Sequence, residues 1–523
     1  MWYDRQDKLK HTECKPTQEF FMHLLRVQVP DFRGLKDIDI TFEKDFFPKI
    51  FPLGSQNGGG KSTLLQLIFV LLHCSVDDDK KPFIANMLHG FKIADGQDRK
   101  EIAIIDIWNG KKIVQIVFFA CKDSFIKKSP YFLEIIKNTE DQDYITFSSL
   151  TQFKIMEKQI ADLEAVNHSL TLSSHRLDTI KNIEDNQQRF DTAKREFNFI
   201  QQLVSNSRTS ALISVVNSKK DVSIQDIQLF QQEIKQKRKE IENNLNNLKN
   251  TYERYESVWK KIIEYLQTEN MTYICNFSNE KKSNDQQDEA LLCQLNNIDL
   301  EETNDFLNIL SQKIFLAAPS TQVFLFLEHS TKELLFKIQT QINDNYLDEL
   351  QKSKSQLKGF FTYDFLAVDS LIEAFKTARD KDFKEAIETD KYGNSYQTLV
   401  NELKFLLNDK KINIEQDFSG VTLKLEKNGE TIELYPEDLS HGELKKLSIY
   451  IWLKSRNIED AIVLMDEVEI AFHPDWQYQI ISDLKEWGPS NQYILATHSY
   501  ALCEALTPAH VKEIEPKLIK QKS

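Results

Sequence analysis

The sequence predicts an α/β fold whose two sheet-forming lobes are separated along the chain by a long helical insertion. Three observations predict it. An apolar strand, a glycine-rich loop and an apolar helix follow one another in residues 50–72. Two more short apolar strands, each ending in polar residues, lie in residues 461–499. Between these regions, apolar residues recur at the alternating spacing of three and four that is typical of coiled coils.

Composition limits the classes of protein that fit. The 523 residues leave room for about three to four domains, and their hydrophobic content of 41% is enough for sizeable cores. A net charge of −14 argues against a uniformly basic nucleic-acid-binding protein. Six scattered cysteines without a CxxC pair indicate reduced thiols rather than a disulfide framework or a zinc site. A polar N-terminus and a longest apolar run of only Leu64–Leu72 predict a soluble, cytoplasmic protein with no membrane partner.

The glycine-rich loop predicts a phosphate-binding site. Its residues are Gly54-Ser55-Gln56-Asn57-Gly58-Gly59-Gly60-Lys61-Ser62-Thr63. Glycines let backbone N–H groups turn inward around phosphate oxygens, and the following helix directs its positive end at the same charge. Lys61 would contact the β- and γ-phosphates of ATP, and the Ser62 hydroxyl would bind Mg²⁺. Ser55 stands where the strict pattern has glycine, and the alternative is a glycine-rich turn without a ligand.

Strands are predicted on both sides of this loop, as an antiparallel layer beside the nucleotide. They cover residues 24–29, 38–42, 102–108 and 113–119. Asn109-Gly110 joins the last two, and this pair favours the type I′ turn of a β-hairpin. Asn428-Gly429 predicts a second hairpin in the same way.

The middle of the chain predicts helices. Two apolar series have the coiled-coil spacing. The first, interrupted by Asn167 and Ser174, is Met156, Ile160, Leu163, Leu170 and Leu177; the second, without a break, is Ile241, Leu245, Leu248, Tyr252, Tyr255, Trp259, Ile262 and Leu266. We expect two arms, each about 45 Å long at 1.5 Å per residue, with residues 204–222 as the turn between them. The alternative is a compact helical bundle, because such series do not identify their partners. Residues 267–304 are polar and predict a mobile linker, and residues 305–408 carry helical patterns.

Three motifs near the C-terminus carry chemistry. Leu439-Ser440-His441-Gly442-Glu443 opens a helix that Ser440 can cap. An apolar strand ends in Asp466-Glu467, where Asp466 would hold Mg²⁺ and Glu467 would orient and polarise the attacking water. A further strand leads to His498, which could donate a hydrogen bond to the γ-phosphate. Taken singly, these motifs could be a capped helix, solvated carboxylates and a structural histidine.

In this order, the motifs resemble those of ABC-type ATPases. The segments Asp466-Glu467-Val468-Glu469, Phe472-His473-Pro474 and Ala496-Thr497-His498-Ser499 are similar to the branch with RecF/SMC-like and OLD-family ATPases. Phe32-Arg33-Gly34 is similar to the N-terminal motif of that branch, whose arginine contacts nucleotide phosphate. The resemblance covers residues 22–120 and 412–505. It does not locate the family's glutamine-containing loop, for which Gln115 and Gln152 are weak candidates.

The resemblance implies an ABC-type P-loop NTPase head split by a long helical, coiled-coil insertion. Two copies of the chain would form a homodimer or higher oligomer around two ATP molecules, with Ser440, Gly442 and Glu443 facing the phosphates of the partner copy. Catalysis falls to Lys61, Glu467 and His498, and the nucleotide would also contact Arg33, Asn57, Gly58, Gly59, Gly60, Ser62 and Thr63. The expected domains are residues 1–145, the N-terminal lobe; 146–270, the coiled-coil hairpin; 271–410, a linker and helical region; and 411–523, the C-terminal lobe.

The chain looks similar to stand-alone ATPase subunits of bacterial antiphage systems, of the Septu or PARIS type. In these an ATPase works with a separately encoded effector, usually a nuclease, and too few residues follow His498 here for a nuclease domain. The alternative is an SMC/RecF-like DNA-repair or chromosome-maintenance ATPase that binds duplex DNA. The basic runs at 235–239 and 517–522 could contact its phosphates, although such runs are more often solvated faces. A transporter ATPase and a non-hydrolysing scaffold are disfavoured.

Overall fold

The computed structural model describes residues 22–55, 58–129, 132, 146–204, 207–219, 221–277, 289–327, 355–363, 368–407, 410–415, 417–418, 420–427, 430–435 and 438–514. These residues divide into two compact units. The second unit contains residues 122–269 with Glu289, and the first contains the rest. The four domain boundaries expected from the sequence remain a prediction.

The described residues form strands and helices, and the helices within residues 122–269 belong to the second unit. The strands, in chain order, are β1 (His23–Phe32), β2 (Leu35–Thr41), β3 (Ile50–Gly54), β4 (Arg99–Trp108), β5 (Ile113–Lys122), β6 (Met271–Asn276), β7 (Glu289–Asn296), β8 (Ile314–Ala318), β9 (Phe360–Thr362), β10 (Lys410–Ile414), β11 (Val421–Lys427), β12 (Glu430–Leu434), β13 (Ile462–Asp466), β14 (Gln492–Ala496) and β15 (Lys512–Glu513). The helices are α1 (Lys61–His73), α2 (Lys81–Leu88), α3 (Asp123–Lys127), α4 (Phe147–Lys181), α5 (Asn186–Leu203), α6 (Ser207–Lys219), α7 (Ile224–Thr268), α8 (Leu300–Gln312), α9 (Val368–Thr389), α10 (Ser395–Leu406), α11 (His441–Ser455), α12 (Pro474–Trp487) and α13 (Tyr500–Glu504).

A parallel sheet positions the phosphate loop. Its strand order is β15-β3-β14-β13-β8-β9, and the paired strands run parallel. Every residue of β13 and β14 is buried, as expected for a parallel sheet covered on both faces. Because β3, β13 and β14 run in the same direction, the phosphate loop, Asp466 and the residues after Ala496 lie at one edge of the sheet. The predicted fold class, an α/β P-loop head with a helical insertion, is confirmed.

An antiparallel sheet forms the second layer, with the order β2-β1-β4-β5-β7-β6. The predicted hairpin of β4 and β5 is present. Its connection is longer than a two-residue turn of Asn109 and Gly110, because the last paired residues are Trp108 and Ile113. Within it, the Asn109 side-chain oxygen accepts hydrogen bonds from the N–H groups of Lys111 and Lys112 at 3.0 and 2.9 Å. Helix α1 is buried along Leu64–Leu72 and shares one hydrophobic core with strands of both sheets.

One side chain links the two sheets directly. The Gln492 amide, at the start of β14, accepts a hydrogen bond from the Leu24 N–H at 2.7 Å. The same amide donates to the Leu24 carbonyl at 2.8 Å. Gln492 therefore gives β1 the pair of backbone partners that a neighbouring strand would give it.

The predicted linker at residues 267–304 is wrong over most of its length. Helix α7 extends to Thr268, β6 and β7 pair within the antiparallel sheet, and α8 begins at Leu300. Ile274 and Leu291–Cys293 are buried, so these short apolar runs join the core despite their polar surroundings. The most polar part, residues 279–288, lies outside the described residues.

The second predicted hairpin is confirmed in a small sheet of β10, β11 and β12. Lys427 pairs with Glu430, which leaves two residues for the turn. Those residues, Asn428 and Gly429, lie outside the described part of the chain.

The second unit combines the two helical arrangements that the sequence left open. Helices α4 and α7 pack together, with the Phe153 ring stacked 4.7 Å from Tyr252 and 6.1 Å from Trp259, centroid to centroid. Further along the pair, α5 and α6 join them around one core. Its buried members include Leu177, Phe197, Ile213, Val216 and Phe230. The predicted turn at 204–222 is therefore wrong, because α6 occupies it.

No helix of the described residues is both long and apolar enough to cross a membrane.

Candidate functional site

The start of helix α1 is shaped for close approach of an anion. Gly58 and Gly60 have φ values of 81° and 83°, which residues with a side chain rarely adopt. A Cβ atom on Gly60 would lie 2.5 Å from Cδ2 of Leu35, so the position requires glycine on two grounds. Among the described residues, no side chain caps this end and its first turn carries no acidic residue. The amide groups of this turn therefore remain available to a ligand.

The structure describes some of the other residues predicted for the phosphate loop but not all of them. Gly59 and Thr63 are half-buried beside Gly60 and Ser62. Asn57 lies outside the described residues, as does Gln56. The role of each in binding remains a prediction.

Lys61 is buried, with 6% of its surface exposed. Its ammonium donates hydrogen bonds to the backbone oxygen and to Oγ of Ser55, at 3.1 and 3.0 Å. It also lies 3.5 Å from Nδ1 of His498. Burial lowers the pKa of Lys61, and the nearby carboxylates, Asp466 foremost, work against this shift. The serine that departs from the strict loop pattern thus holds the loop lysine in place.

Asp466, the last residue of β13, is 1% exposed. Burial raises the pKa of its carboxyl, and hydrogen bonds from Gln322 and from the Ser62 hydroxyl oppose that shift. A serine hydroxyl paired with a carboxylate is a donor set that suits Mg²⁺, which usually binds one or two protein oxygens and takes the rest from phosphates and water. The described residues contain no cluster of three or more His, Cys, Asp or Glu that could hold a metal ion.

Gln322 is a site residue that the sequence analysis missed. It lies in a short 3₁₀ helix, Ser320–Phe326, which follows β8. Its amide donates to Oδ2 of Asp466, and its oxygen accepts a hydrogen bond from the Gln66 amide of α1 at 2.7 Å. The sequence feature that could have identified Gln322 is its position as a polar residue shortly after the apolar run of β8. The carboxyl ends of parallel strands lie at the same edge of a sheet, so residues that follow them are candidates for the site.

The two weak glutamine candidates lie elsewhere. The Gln115 amide, on β5, donates to Asp106 at 2.9 Å and accepts from Asn296 at 3.0 Å, both within the antiparallel sheet. Gln152 is part of α4, in the second unit. The glutamine that contacts Asp466 is Gln322 instead.

Glu467 follows Asp466 directly, in a left-handed backbone conformation with φ of 51°. Its N–H donates to the Ala496 carbonyl at 2.9 Å, and its carbonyl accepts from the Lys445 ammonium at 2.8 Å. Burial raises the pKa of its carboxyl, and the neighbouring Asp466 and Glu469 raise it further. A carboxylate with a raised pKa is better suited to accept a proton from water.

His498 lies two residues beyond the end of β14, with Nδ1 near Lys61. Its backbone N–H donates to Oε1 of Glu469 at 2.7 Å. Glu469 is 7% exposed, and within the described part of the chain its second oxygen has no hydrogen-bond partner. The structure therefore brings Lys61, Ser62, Asp466, Glu467 and His498 together at one edge of the parallel sheet.

The residues from Ser440 to Glu443 form a separate cluster. The Glu443 N–H donates to Oγ of Ser440 at 3.3 Å, while the Ser440 N–H and hydroxyl donate to the Glu443 carboxylate at 3.0 and 2.9 Å. Lys410 forms an ion pair with Glu443. A Cβ on Gly442 would lie 2.9 Å from the Ala471 carbonyl oxygen. Within the described residues, none of the hydrogen bonds of Ser440 or Glu443 goes to the phosphate loop.

Arg33 lies in the turn between β1 and β2, with φ of 53°. Its guanidinium donates to the Met87 carbonyl, near the end of α2, at 2.7 Å. The phosphate contact implied by the family resemblance remains a prediction.

Two sequence comparisons find partial similarity to known proteins. A family model described as "AAA domain, putative AbiEii toxin, Type IV TA system" matches residues 326–504. The chain is 27% identical over 202 residues to a "Retron Vc95 probable ATPase" of Vibrio cholerae serotype O1 biovar El Tor. That match covers 31% of this chain and 38% of the relative, so the chain spans well under half of the relative's length.

Two solved structures also overlay on the chain, both of Smc head domains. One, from Pyrococcus furiosus, has an extended coiled coil bound to the C-terminal domain of ScpA, with 12% identity, a TM-score of 0.29 and 92% coverage of each chain. The other, from Pyrococcus yayanosii, has a coiled coil and joint, with 12% identity, a TM-score of 0.29 and coverage of 92% of this chain and 93% of that one. At these scores the overlays add nothing to the fold described above.

Proposed function

We propose that this chain is a Mg²⁺-dependent ATPase that serves as the nucleotide-driven switch subunit of a bacterial antiphage defence system. It controls a separately encoded effector, which we expect to be a nuclease. The observation that carries the ATPase is the contact of the Ser62 hydroxyl with Asp466, next to the buried Lys61 and the uncapped start of α1. Two segments far apart in sequence, the start of α1 and the end of β13, meet there with donor groups suited to a metal–phosphate complex.

Each residue has a distinct task. The α1 amides and Lys61 bind the phosphates, and Ser62 and Asp466 are the protein oxygens that would hold Mg²⁺. The bound metal would neutralise charge that develops on the phosphate oxygens. Glu467 accepts a proton from the attacking water, and His498, held through Glu469, contacts the γ-phosphate.

A second copy of the chain completes the site in this proposal. Ser440 and Gly442 would come from the partner copy, in keeping with the separation of these residues from the phosphate loop in a single chain. ATP would then bring two copies together, and hydrolysis would release them, so the bound nucleotide would set the state of the assembly.

The defence role rests on the similarities to a retron ATPase and to the AbiEii-type family model. The alternative, a DNA-repair or chromosome-maintenance ATPase, gains little from the basic run at residues 235–239. Lys237 pairs with Glu240 at 3.3 Å, and Arg238 lies 3.6 Å from Glu242, so neighbouring carboxylates offset two of these charges. We therefore do not adopt it.

Hydrolysis of ATP by the purified protein, with and without Mg²⁺, tests the chemistry. We expect Glu467→Gln to retain ATP binding and to lower the turnover by about 10²- to 10⁴-fold, the usual contribution of a general base. Lys61→Ala should weaken binding itself. Glu433→Gln, the same change on the exposed strand β12, is the matched control and should behave like the wild type. Undiminished hydrolysis by Glu467→Gln would contradict the assignment.

Two further experiments test the assembly. Sedimentation of Glu467→Gln with ATP and Mg²⁺ should show a dimer that is absent without nucleotide, and a monomer under both conditions would contradict the composite site. Purification of the tagged chain from its native operon should yield an effector encoded next to it. A gene that stands alone, with a protein that binds duplex DNA in a salt-dependent manner, would favour the DNA-repair alternative.

A further inference from the structure

Two adjacent lysines behind the Ser440–Glu443 cluster are both buried. Lys445 is 6% exposed and Lys446 is 8% exposed. A buried ammonium is costly unless other groups replace the water around it. Lys446 has a conventional solution, an ion pair with Asp483 at 2.8 Å. The Lys445 ammonium instead contacts the turn that follows Asp466.

The Lys445 ammonium binds two backbone carbonyls of one short turn. It donates to the oxygen of Glu467 at 2.8 Å and to that of Ile470 at 3.1 Å. It also lies 4.1 Å from the ring centroid of Tyr363 and 5.6 Å from that of Phe472, within the range of cation–π attraction. The carbonyl dipoles and ring faces together compensate for the lost hydration of the cation.

The turn that Lys445 holds has unusual backbone geometry. Glu467 and Ala471 both have positive φ, 51° and 72°, although neither is glycine. Such conformations are strained for residues with a side chain and persist only where the surroundings enforce them. Three groups bind the backbone of Glu467. The Ala496 carbonyl, on the strand that leads to His498, accepts from its N–H, and the Ile470 N–H and the Lys445 ammonium donate to its carbonyl at 3.3 and 2.8 Å. These contacts fix the point on the backbone from which the Glu467 side chain starts.

We propose that Lys445 is a positioning residue for Glu467. By holding the carbonyls of Glu467 and Ile470, it fixes the turn from which the Glu467 carboxyl reaches the attacking water. Because Lys445 lies two residues after Glu443 on α11, it also ties that carboxyl to the helix that would meet the partner copy. This inference rests on the proposed ATPase function and deepens it, because it assigns a residue between the two halves of the composite site.

The test compares the two buried lysines. Lys445→Met removes the carbonyl contacts, and the double variant Lys446→Met with Asp483→Asn removes the neighbouring ion pair without leaving an isolated charge. We expect Lys445→Met to retain the ATP dissociation constant within about twofold and to lower kcat on the order of 10²-fold, as small misplacements of catalytic groups do. The Lys446–Asp483 double variant should lose comparable thermal stability and keep kcat within about threefold of the wild type.

The turnover of a double variant distinguishes a positioning role of Lys445 from a structural one. Adding Lys445→Met to Glu467→Gln should cause no further loss of turnover, because Lys445 acts through the carboxyl that is already absent. If Lys445→Met does not fold, Lys445→Gln, which keeps an N–H donor without the charge, is judged by the same criteria. Failure of both to fold would show a structural role and overturn the inference.

The possible failures can be told apart. Wild-type protein without hydrolysis, or active Glu467→Gln, would overturn the proposed function and this inference together. A different result would overturn only the role of Lys445. In that case Glu467→Gln is inactive, but the kcat of Lys445→Met lies within about threefold of that of the Lys446–Asp483 control. A parallel loss of ATP affinity and kcat in Lys445→Met would also overturn it, since the inference has Lys445 act through the turn after Asp466 and not on the nucleotide.

Discussion

Helices α1 and α11 both carry candidate site residues at their N-termini, and these two ends are built in opposite ways. The start of α1 has a left-handed glycine, no side-chain cap among the described residues and no acidic residue in its first turn. The start of α11 is closed by a capping box between Ser440 and Glu443, so a carboxylate already lies on its amides. The start of α1 is open to an external anion, while the start of α11 is already occupied by the Glu443 carboxylate.

In the proposed mechanism, the start of α1 binds phosphate within one chain, whereas Ser440 at the start of α11 acts on the phosphate bound by a second copy. The open start of α1, with Lys61 beside it, offers uncapped amide groups to a phosphate. The Ser440 hydroxyl, by contrast, donates to Glu443 at 2.9 Å, and it must exchange that acceptor before it can donate to a phosphate oxygen. The comparison predicts that variants at α1 affect ATP binding, whereas variants at α11 affect turnover.

Ser440→Ala should give the largest effect. It removes the hydroxyl that we assign to the partner's phosphate, so turnover should fall by about 10²- to 10³-fold, as when a single transition-state donor is lost. ATP affinity should be unchanged, since the α1 end is intact. The change should also cost about 1 kcal/mol of stability through the lost cap.

Ser223→Ala is the control for that experiment. Ser223 forms the same kind of capping box with Asp226 at the start of α7, so the stability loss should be similar while steady-state hydrolysis stays at the wild-type rate. Equal turnover in the two alanine variants would show that the α11 cap serves only the fold.

Gly60→Ala should give the next largest effect, at the open end. The new Cβ would clash with Leu35 in a conformation with φ of 83°, which costs about 1–3 kcal/mol. A loss of about tenfold in ATP affinity corresponds to 1.4 kcal/mol, and we expect at least that by titration. Gly96→Ala is the control, because Gly96 has the same φ with no atom within 4 Å of the added carbon. ATP binding equal to that of the Gly96→Ala variant would mean that the α1 end is not the phosphate site.

Removal of the Glu443 charge from the α11 cap should have the smallest effect, and this effect is on the free energy of unfolding. Burial of the Glu443 carboxyl works to raise its pKa, but hydrogen bonds from Lys410 and Ser440 outweigh burial and place the pKa below the ordinary value of 4.5. Stability from this charge is therefore present above pH 4.5 and is lost as the pH falls through the depressed pKa. Glu443→Gln should cost about 1 kcal/mol at neutral pH, and the difference should shrink in acid when unfolding is followed by urea titration. A difference that grows with acidity would contradict the assigned sign.

The sequence predicted the parts of the site that are local motifs. The phosphate loop, the Asp466-Glu467 pair and His498 each follow a short apolar strand, and the common direction of those strands brings them together. Gln322 was missed because its only marker is its position after β8, and its contact with Asp466 spans much of the chain. No short pattern records a contact of that kind.

The errors in the fold have a similar origin. β6 and β7 lie on either side of a long polar segment, whose composition outweighed the short apolar runs. Helix α6 is rich in serine and small residues, yet Ile213 and Val216 complete a core provided by three other helices. In both cases tertiary packing decided the structure against the local composition.

The position of β3 in its sheet sets an order for synthesis of the chain. This strand, which leads to the phosphate loop, lies between β14 and β15, and both of these emerge from the ribosome long after it. At about 5–20 residues per second, the roughly 440 residues from Gly54 to Gln492 take roughly 20–90 s to translate. Throughout that interval the loop lacks the strands on either side of it. A nascent chain therefore cannot form the site until β14 and β15 have been synthesised.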